Sequence, residues 1–188
     1  MYDENVCIFC KIANGEMPSK KIYETESLVV ILDINPANPG HCLVVPKKHI
    51  ETIYNADNNI LEEMIVAAKL VSSRLKEKLG CDGVNILQNN EQTAGQLVKH
   101  IHIHVIPRYK GDKVVIGYPK INQTEQQLDE MQKRLAITKE SPKEEIVSQK
   151  VVDEKEVEKT IDKVVKPDKP REKMTKKELR KWGLEEDF

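Results

Sequence analysis

Of the five histidines in this 188-residue chain, three fall within five positions: His100, His102 and His104, in the run K-H-I-H-I-H-V-I-P-R at 99–108. Isoleucine and valine fill the places between them, and a β-branched run of period two is the pattern of a strand. Alternation sends the three imidazoles to one face, with neighbouring rings about 7 Å apart at ~3.3 Å of rise per residue. Imidazole titrates nearest neutrality and serves as base, nucleophile or metal ligand. Three polar rings on a strand face cost stability unless each has a partner, so the pattern points to chemistry rather than to packing. Cys7-Ile8-Phe9-Cys10 is a second constellation. C-x-x-C lets two thiolates reach one tetrahedral metal; the alternative is a pair of reduced cysteines packed as small hydrophobes. A catalytic metal centre built from His100, His102 and His104 themselves is disfavoured, because rings about 7 and 13 Å apart do not close on a ~2 Å coordination sphere.

The elements that must position these residues follow from composition and period. Lys21–Glu24 and Leu28–Leu32 are β-rich and split by a polar turn, and 41–46 is a strand with Leu43, Val44 and Val45 at its centre. Between them, 35–40 (N-P-A-N-P-G) is a turn. Residues 57–79 carry Ile60, Leu61, Met64, Ile65, Ala68, Val71 and Leu75 at helical spacing, with Asp57 as N-cap and Gly80 as C-cap. Strands at 84–87 and 100–107 are joined by a polar loop at 89–95, and 122–135 reads as a helix with Leu128, Met131 and Leu135 on one side. Strands in consecutive groups, with one long helix inserted and one trailing, indicate an α+β fold with an antiparallel sheet.

Composition divides the chain near residue 138. Residues 139–188 hold 14 basic and 14 acidic side chains in 50, more than twice the charge density of the first 138, so 1–138 is expected to be one domain and 139–188 a separate charged extension, partly helical or disordered. Within the extension Val147, Val151, Val157, Ile161, Val164 and Val165 recur at roughly helical spacing up to Pro167 and Pro170. A short helix is expected from Thr175, where T-K-K-E resembles a capping box, to Gly183. The extension reads either as a solvated, disordered segment or as a docking element using Trp182, Leu184 and Phe188. The formal net charge of −1 supplies no field toward nucleic acid or membrane. No apolar run approaches the ~20 residues of a membrane span, and the first ten residues lack the regions of a signal peptide. A cytoplasmic protein with reduced or metal-bound cysteines is expected.

Reading outward from the histidines, Ala94-Gly95-Gln96-Leu97-Val98-Lys99 leads in and Ile106-Pro107-Arg108 leads out, while Pro39-Gly40-His41-Cys42-Leu43-Val44-Val45-Pro46-Lys47-Lys48-His49 stands upstream. Together these blocks resemble the histidine triad (HIT) family, in its microbial Hit-like branch, over roughly residues 6–137. The resemblance implies the HIT-like fold and a nucleotide hydrolase or transferase acting at the α-phosphorus of a nucleoside phosphate ester, anhydride or phosphoramidate. It assigns the nucleophile to His102, with the His100 carbonyl holding the other ring nitrogen, and places His104 and His41 at the phosphate or bridging oxygen. Asn89, Gln96 and the backbone amides of Leu97 and Val98 would line the phosphate. Asp33 would accept from the ribose hydroxyls, and Ile34 and Ile22 would wall the base. Asp33 has the alternative of capping the turn before Pro36, and Asn89 that of an ordinary loop residue. Leu97 stands where many relatives carry Ser or Thr, which removes a hydroxyl from the leaving-group side.

In many microbial members zinc is held by the C-x-x-C pair and two histidines, here Cys7, Cys10, His49 and His100; with four protein ligands its role would be structural, and the chemistry itself requires no cofactor. The family dimerises through its long helix and a sheet edge, so a homodimer through 57–79 is expected. The expected reaction releases a purine mononucleotide from a phosphoramidate or dinucleoside polyphosphate. A reading of another class is a nucleotide-binding adaptor whose zinc-stapled core senses nucleotide while 139–188 recruits a protein partner.

Overall fold

The computed structural model describes residues 6–137. The expected extension helices, the T-K-K-E box, Trp182, Leu184, Phe188 and the division at 138 lie outside the described residues. Those described fall into two units, one ending at Val114 and one beginning at Val115.

The first unit is a five-stranded antiparallel sheet. Strands β1 (Lys21–Glu24), β2 (Leu28–Leu32), β3 (Cys42–Pro46), β4 (Gly83–Gln88) and β5 (Ile103–Arg108) lie in the order β1-β2-β3-β5-β4. Helix α1 (Ile8–Ala13) precedes the strands and α2 (Asn58–Leu79) is inserted between β3 and β4. The α+β architecture expected of the sequence is the one observed.

β2 and β3 are apolar throughout because both their faces are covered. On one face Leu28, Val30, Cys42, Val44, Ile103 and Val105 pack against Met64, Ala67, Ala68, Val71 and Leu75 of α2. On the other, Val29, Ile31, Leu43 and Val45 pack against Cys7, Phe9, Cys10 and Ile12. Each fully buried Leu, Met or Phe contributes about 1.5–3 kcal/mol, which lets a helix as short as α1 hold its place. Since Ile103 and Val105 face α2, the alternation of β5 puts His104, paired with Leu43, on the α1 face.

Several boundaries differ from the periodic reading: β3 begins at Cys42 rather than at 41, β4 spans 83–88 rather than 84–87, and the last helix begins at Glu125 rather than at 122. The ladder of β5 begins at Ile103, not at His100. Before it, the His100 amide donates to the nearby Val98 carbonyl at 2.8 Å and the Ile101 amide to the Ile50 carbonyl at 2.7 Å, so neither joins the ladder. The six-residue helix α1 was not expected, since it spans too few residues to show a period. In α2, Ile65 is half exposed and Ala67 takes its place in the core. Asp57 stands at the N-cap position without a side-chain capping bond, and Gly80 ends the helix in the left-handed region at φ +65°.

In the second unit, α3 (Glu125–Leu135) is opened by a full capping box: Thr124 accepts from the Gln127 amide and Gln127 accepts from the Thr124 amide. Leu128, Met131 and Leu135 share one side of it and remain exposed.

A row of five histidines at the mouth of strand β5

All five histidines of the chain form one continuous row. His49 and His100 have ring centroids 4.9 Å apart, His102 and His104 4.8 Å, and His104 and His41 5.2 Å. Phe9 of α1 bridges the middle, 5.8 Å from His100 and 5.0 Å from His102. Its place inside C-x-x-C was the only sequence signal for this role. Burial outweighs every other influence on four of these rings and favours their neutral forms. It pushes His100 and His104 down to about 4, and it lowers His102 and His41 despite the opposing charge of Asp33.

Backbone groups set the tautomers of these neutral rings. His102 Nδ1 lies 2.7 Å from the His100 carbonyl, which can only accept. Nδ1 therefore carries the proton and Nε2 keeps a lone pair. The Ala37 amide can only donate, and it donates to His41 Nδ1 at 3.2 Å. The proton of His41 is then on Nε2, which donates to His104 Nδ1 at 3.0 Å. His104 in turn carries its proton on Nε2. A lone pair on His102 thus stands beside a proton donor on His104, the pairing that nucleophilic displacement with a nearby acid requires. Asp33 Oδ2 lies 3.5 Å from His41 Nδ1, and its Oδ1 accepts from the Asn35 amide at 2.8 Å. The turn-capping alternative for Asp33 is therefore present in the fold, with its second oxygen turned to His41.

At the other end of the row the rings serve a different site. His100 Nε2 donates to the Pro46 carbonyl at 2.9 Å, leaving the Nδ1 lone pair directed at Cys7 Sγ (3.3 Å), Cys10 Sγ (3.5 Å) and His49 Nδ1 (3.2 Å). Cys10 Sγ is 3.3 Å from His49 Nδ1, and all four potential ligand atoms lie within 4.8 Å of one another. A tetrahedron with bonds of ~2.3 Å to sulfur and ~2.05 Å to nitrogen has edges of about 3.3–3.8 Å, close to these separations. The donor set and the carbonyl orienting His100 suit a structural metal, so this Cys₂His₂ cluster could bind one.

Gln96 is buried and ties the loop together: its Oε1 accepts from the Glu91 amide at 2.8 Å and its Nε2 donates to the Glu51 carbonyl at 2.7 Å. Glu91 is the only non-glycine residue with positive φ (69°) among the described residues, so this loop stores strain next to the histidines. Asn89 is half-buried, 3.5 Å from the Gly95 carbonyl. Val98 packs against the α1 cluster. Ile22, Ile34 and Leu97 are 49, 83 and 92% exposed, apolar side chains with no place in either core.

The HIT domain profile matches residues 14–111, more than half of the chain. The chain belongs to the HIT family. It is 48% identical over 130 residues to an uncharacterized HIT-like protein of Methanocaldococcus jannaschii, covering 69% of this chain and 98% of that protein. It is 39% identical over 114 residues to the adenosine 5'-monophosphoramidase of Saccharomyces cerevisiae, covering 60% of this chain and 70% of that enzyme. A crystal structure of a HIT family member from Bacillus subtilis superposes with a TM-score of 0.65 at 36% identity, covering 71% of this chain and 99% of that one. A zinc-bound histidine triad protein from Mycobacterium smegmatis superposes with a TM-score of 0.58 at 37% identity, covering 61% and 83%. Among the described residues of this HIT protein, no helix is long and apolar enough to cross a membrane.

Proposed function

We propose that this HIT protein is a nucleotide hydrolase that acts at the α-phosphorus of purine nucleoside phosphoramidates or dinucleoside polyphosphates. The observation that carries the reading is the opposed tautomers of His102 and His104, a nucleophilic lone pair beside a proton donor. His102 Nε2 attacks the α-phosphorus, forming an N–P bond while the bond from phosphorus to the leaving nitrogen or oxygen breaks. The leaving atom takes the Nε2 proton of His104. Water then attacks the nucleotidyl-histidine, returns its proton to His104 and releases the mononucleotide, restoring the Nε2 lone pair of His102. As the phosphorus loads His102, the imidazole gains positive charge, which the hydrogen bond from Nδ1 to the His100 carbonyl stabilises.

Substrate recognition is assigned to the same surface. Asp33 accepts from the ribose, the exposed Ile22 and Ile34 stack on the base, and Asn89, Gln96 and the amides of Leu97 and Val98 line the phosphate side. The ion in the Cys7–Cys10–His49–His100 cluster is zinc, which supplies a structural crosslink between α1 and the sheet when bound. The protein is a cytoplasmic homodimer that pairs through α2, where Ile65 and Val66 are half exposed, and through the free edge at β4, where Ile86 is 42% exposed.

The test is release of AMP from adenosine phosphoramidate and from diadenosine polyphosphates by the parent and by His102→Ala. Loss of the nucleophile is expected to lower kcat by about 10⁴-fold or more, and the parent is expected to carry a transient nucleotide adduct on its histidine. A parent that releases no mononucleotide from either substrate class sinks the reading; a His102→Ala protein that keeps its rate sinks the nucleophile.

A further inference from the structure

His41 lies one residue beyond the last ladder pair of β3, Cys42 with Val105, so the sheet alone does not hold its turn. A buried polar network does. Asn38 is 7% exposed and uses both hydrogens of its amide, donating to the Pro107 carbonyl of β5 at 2.9 Å and to Asp112 Oδ2 at 2.8 Å. The Asp112 side chain is 2% exposed. Besides Asn38 it accepts from Arg108 Nε at 2.8 Å and Nη2 at 2.7 Å, from the Tyr109 amide at 3.0 Å and from the Val114 amide at 3.2 Å. Arg108 is itself anchored, donating from Nη1 to Asn85 Oδ1 of β4 at 2.7 Å and from Nη2 to the Val114 carbonyl at 2.6 Å. A buried carboxylate with five donors is held in one place, and so is whatever hangs from it.

What hangs from it is the grip on His41. The Asn38 carbonyl accepts from the His41 amide at 3.0 Å, and the neighbouring Ala37 amide donates to His41 Nδ1. The competing arrangement is visible in the same place. Asp33 Oδ2 stands 3.5 Å from His41 Nδ1; if the Ala37 amide withdraws, Nδ1 can take the ring proton and donate it to that carboxylate. His41 Nε2 would then become an acceptor, His104 Nδ1 would have to donate, and His104 Nε2 would lose its proton.

We propose that Asn38, clamped by Asp112 and Arg108, is a positioning residue that keeps His41 in its Nε2–H form and thereby keeps a proton on the Nε2 of His104. The inference rests on the proposed function for its catalytic meaning, but not for the ring protonation it predicts. The network joins residues 74 positions apart, and no residue in it other than His41 and His104 belongs to the proposed machinery.

The experiment uses the full, metal-loaded chain with histidine labelled in ¹⁵N. The ring nitrogens of His41 and His104 are read at neutral pH in the parent, Asn38→Ala, Asp112→Asn and Tyr109→Phe. The parent is expected to show both rings with protonated Nε2, and Asn38→Ala and Asp112→Asn to move His41 toward protonated Nδ1. Alongside, kcat for AMP release should fall about 10- to 100-fold in these two variants with KM changing less, as expected for a misplaced catalytic group. Tyr109→Phe removes a bond of 3.3 Å to the Pro39 carbonyl of the same turn, and should lower thermal stability while leaving the tautomers in place. Parent tautomers retained in a folded Asn38→Ala or Asp112→Asn protein, even one that melts earlier, overturn the proposal. So does a parent with His41 protonated on Nδ1, which decides the matter if neither variant folds. A parent that shows the expected rings but releases no mononucleotide overturns the proposed function and leaves the positioning standing.

Discussion

Gly40→Ala perturbs the turn before His41 at a point where the cost can be worked out. Gly40 has φ +94°, and a Cβ built on it meets Leu79 Cδ1 at 2.5 Å, Leu75 Cδ2 at 3.1 Å and Pro107 Cγ at 3.5 Å. The backbone conformation alone costs a residue with a side chain about 1–2 kcal/mol. Leu79 lies at the end of α2 and can yield, but Leu75 is buried in the core, so overpacking adds about 1–3 kcal/mol. At roughly 3–5 °C per kcal/mol for a domain of this size, Tm should fall by about 6–25 °C. Gly80→Ala is the control: φ is +65° and no atom lies within 4 Å of the new Cβ, so only the backbone term of about 1–2 kcal/mol applies, about 3–10 °C. Thermal unfolding of parent and both variants, read by circular dichroism with the metal loaded, gives the comparison. A Gly40→Ala protein that melts within about 2 °C of Gly80→Ala refutes the close approach of this turn to α2. AMP release adds a second readout, since the turn that moves carries the ring on which His104 depends, and Gly40→Ala should lose activity well below its melting temperature.

Two further outcomes follow from the row of rings. Chelation, or Cys10→Ser, should remove the metal, lower Tm by on the order of 10 °C for a site filled about 1,000-fold above its Kd, and expose the α1 segment to protease; elemental analysis and melts with and without chelator check it, and metal-free parent protein overturns it. Activity should drop as well, because Phe9 rides on α1 and packs at 5.0 Å from His102. The second outcome concerns pH. His104 is held near 4 and His41 below its ordinary value in the fold, whereas both return to about 6.5 when unfolded. The unfolded chain therefore binds more protons between about pH 6.5 and pH 4, and stability is lost as pH falls through that window. Turnover should hold below pH 6.5 and fall only once the lone pair of His102, which burial holds below its ordinary value, takes a proton; urea midpoints and a kcat profile check both, and an acid limb centred near pH 6.5 contradicts the buried, neutral rings.

Period made much of this fold legible. β1 and β2 have the bounds their β-branched runs suggest, and α2 ends at Gly80 as its apolar stripe and C-cap require. Both constellations singled out by residue type, the alternating histidines and C-x-x-C, lie where the structure concentrates its buried polar atoms. What alternation could not supply was the partner of each backbone group. His100 and Ile101 look like strand, yet their amides pair with residues 98 and 50 rather than with a ladder. α1 escaped notice because its six residues cover fewer than two turns. The Asn38–Asp112 network was invisible for another reason: each member is an ordinary turn residue by composition, and only the fold brings them together.

The tautomers of three rings, His100, His102 and His41, are each set by a backbone group, and His104 takes its own from His41. A carbonyl or an amide does not titrate near neutrality, so these assignments do not drift with pH as they would if carboxylates set them. His100 links the two halves of the row. Its ring belongs to the metal cluster, while its carbonyl, at 2.7 Å from His102 Nδ1, leaves the Nε2 lone pair of His102 free to react. Any force that moves the Cys₂His₂ cluster therefore moves the acceptor that sets the tautomer of His102. In the proposed function the metal site and the catalytic site share one residue, His100, and that sharing is the physical reason why removing the ion is expected to lower the rate.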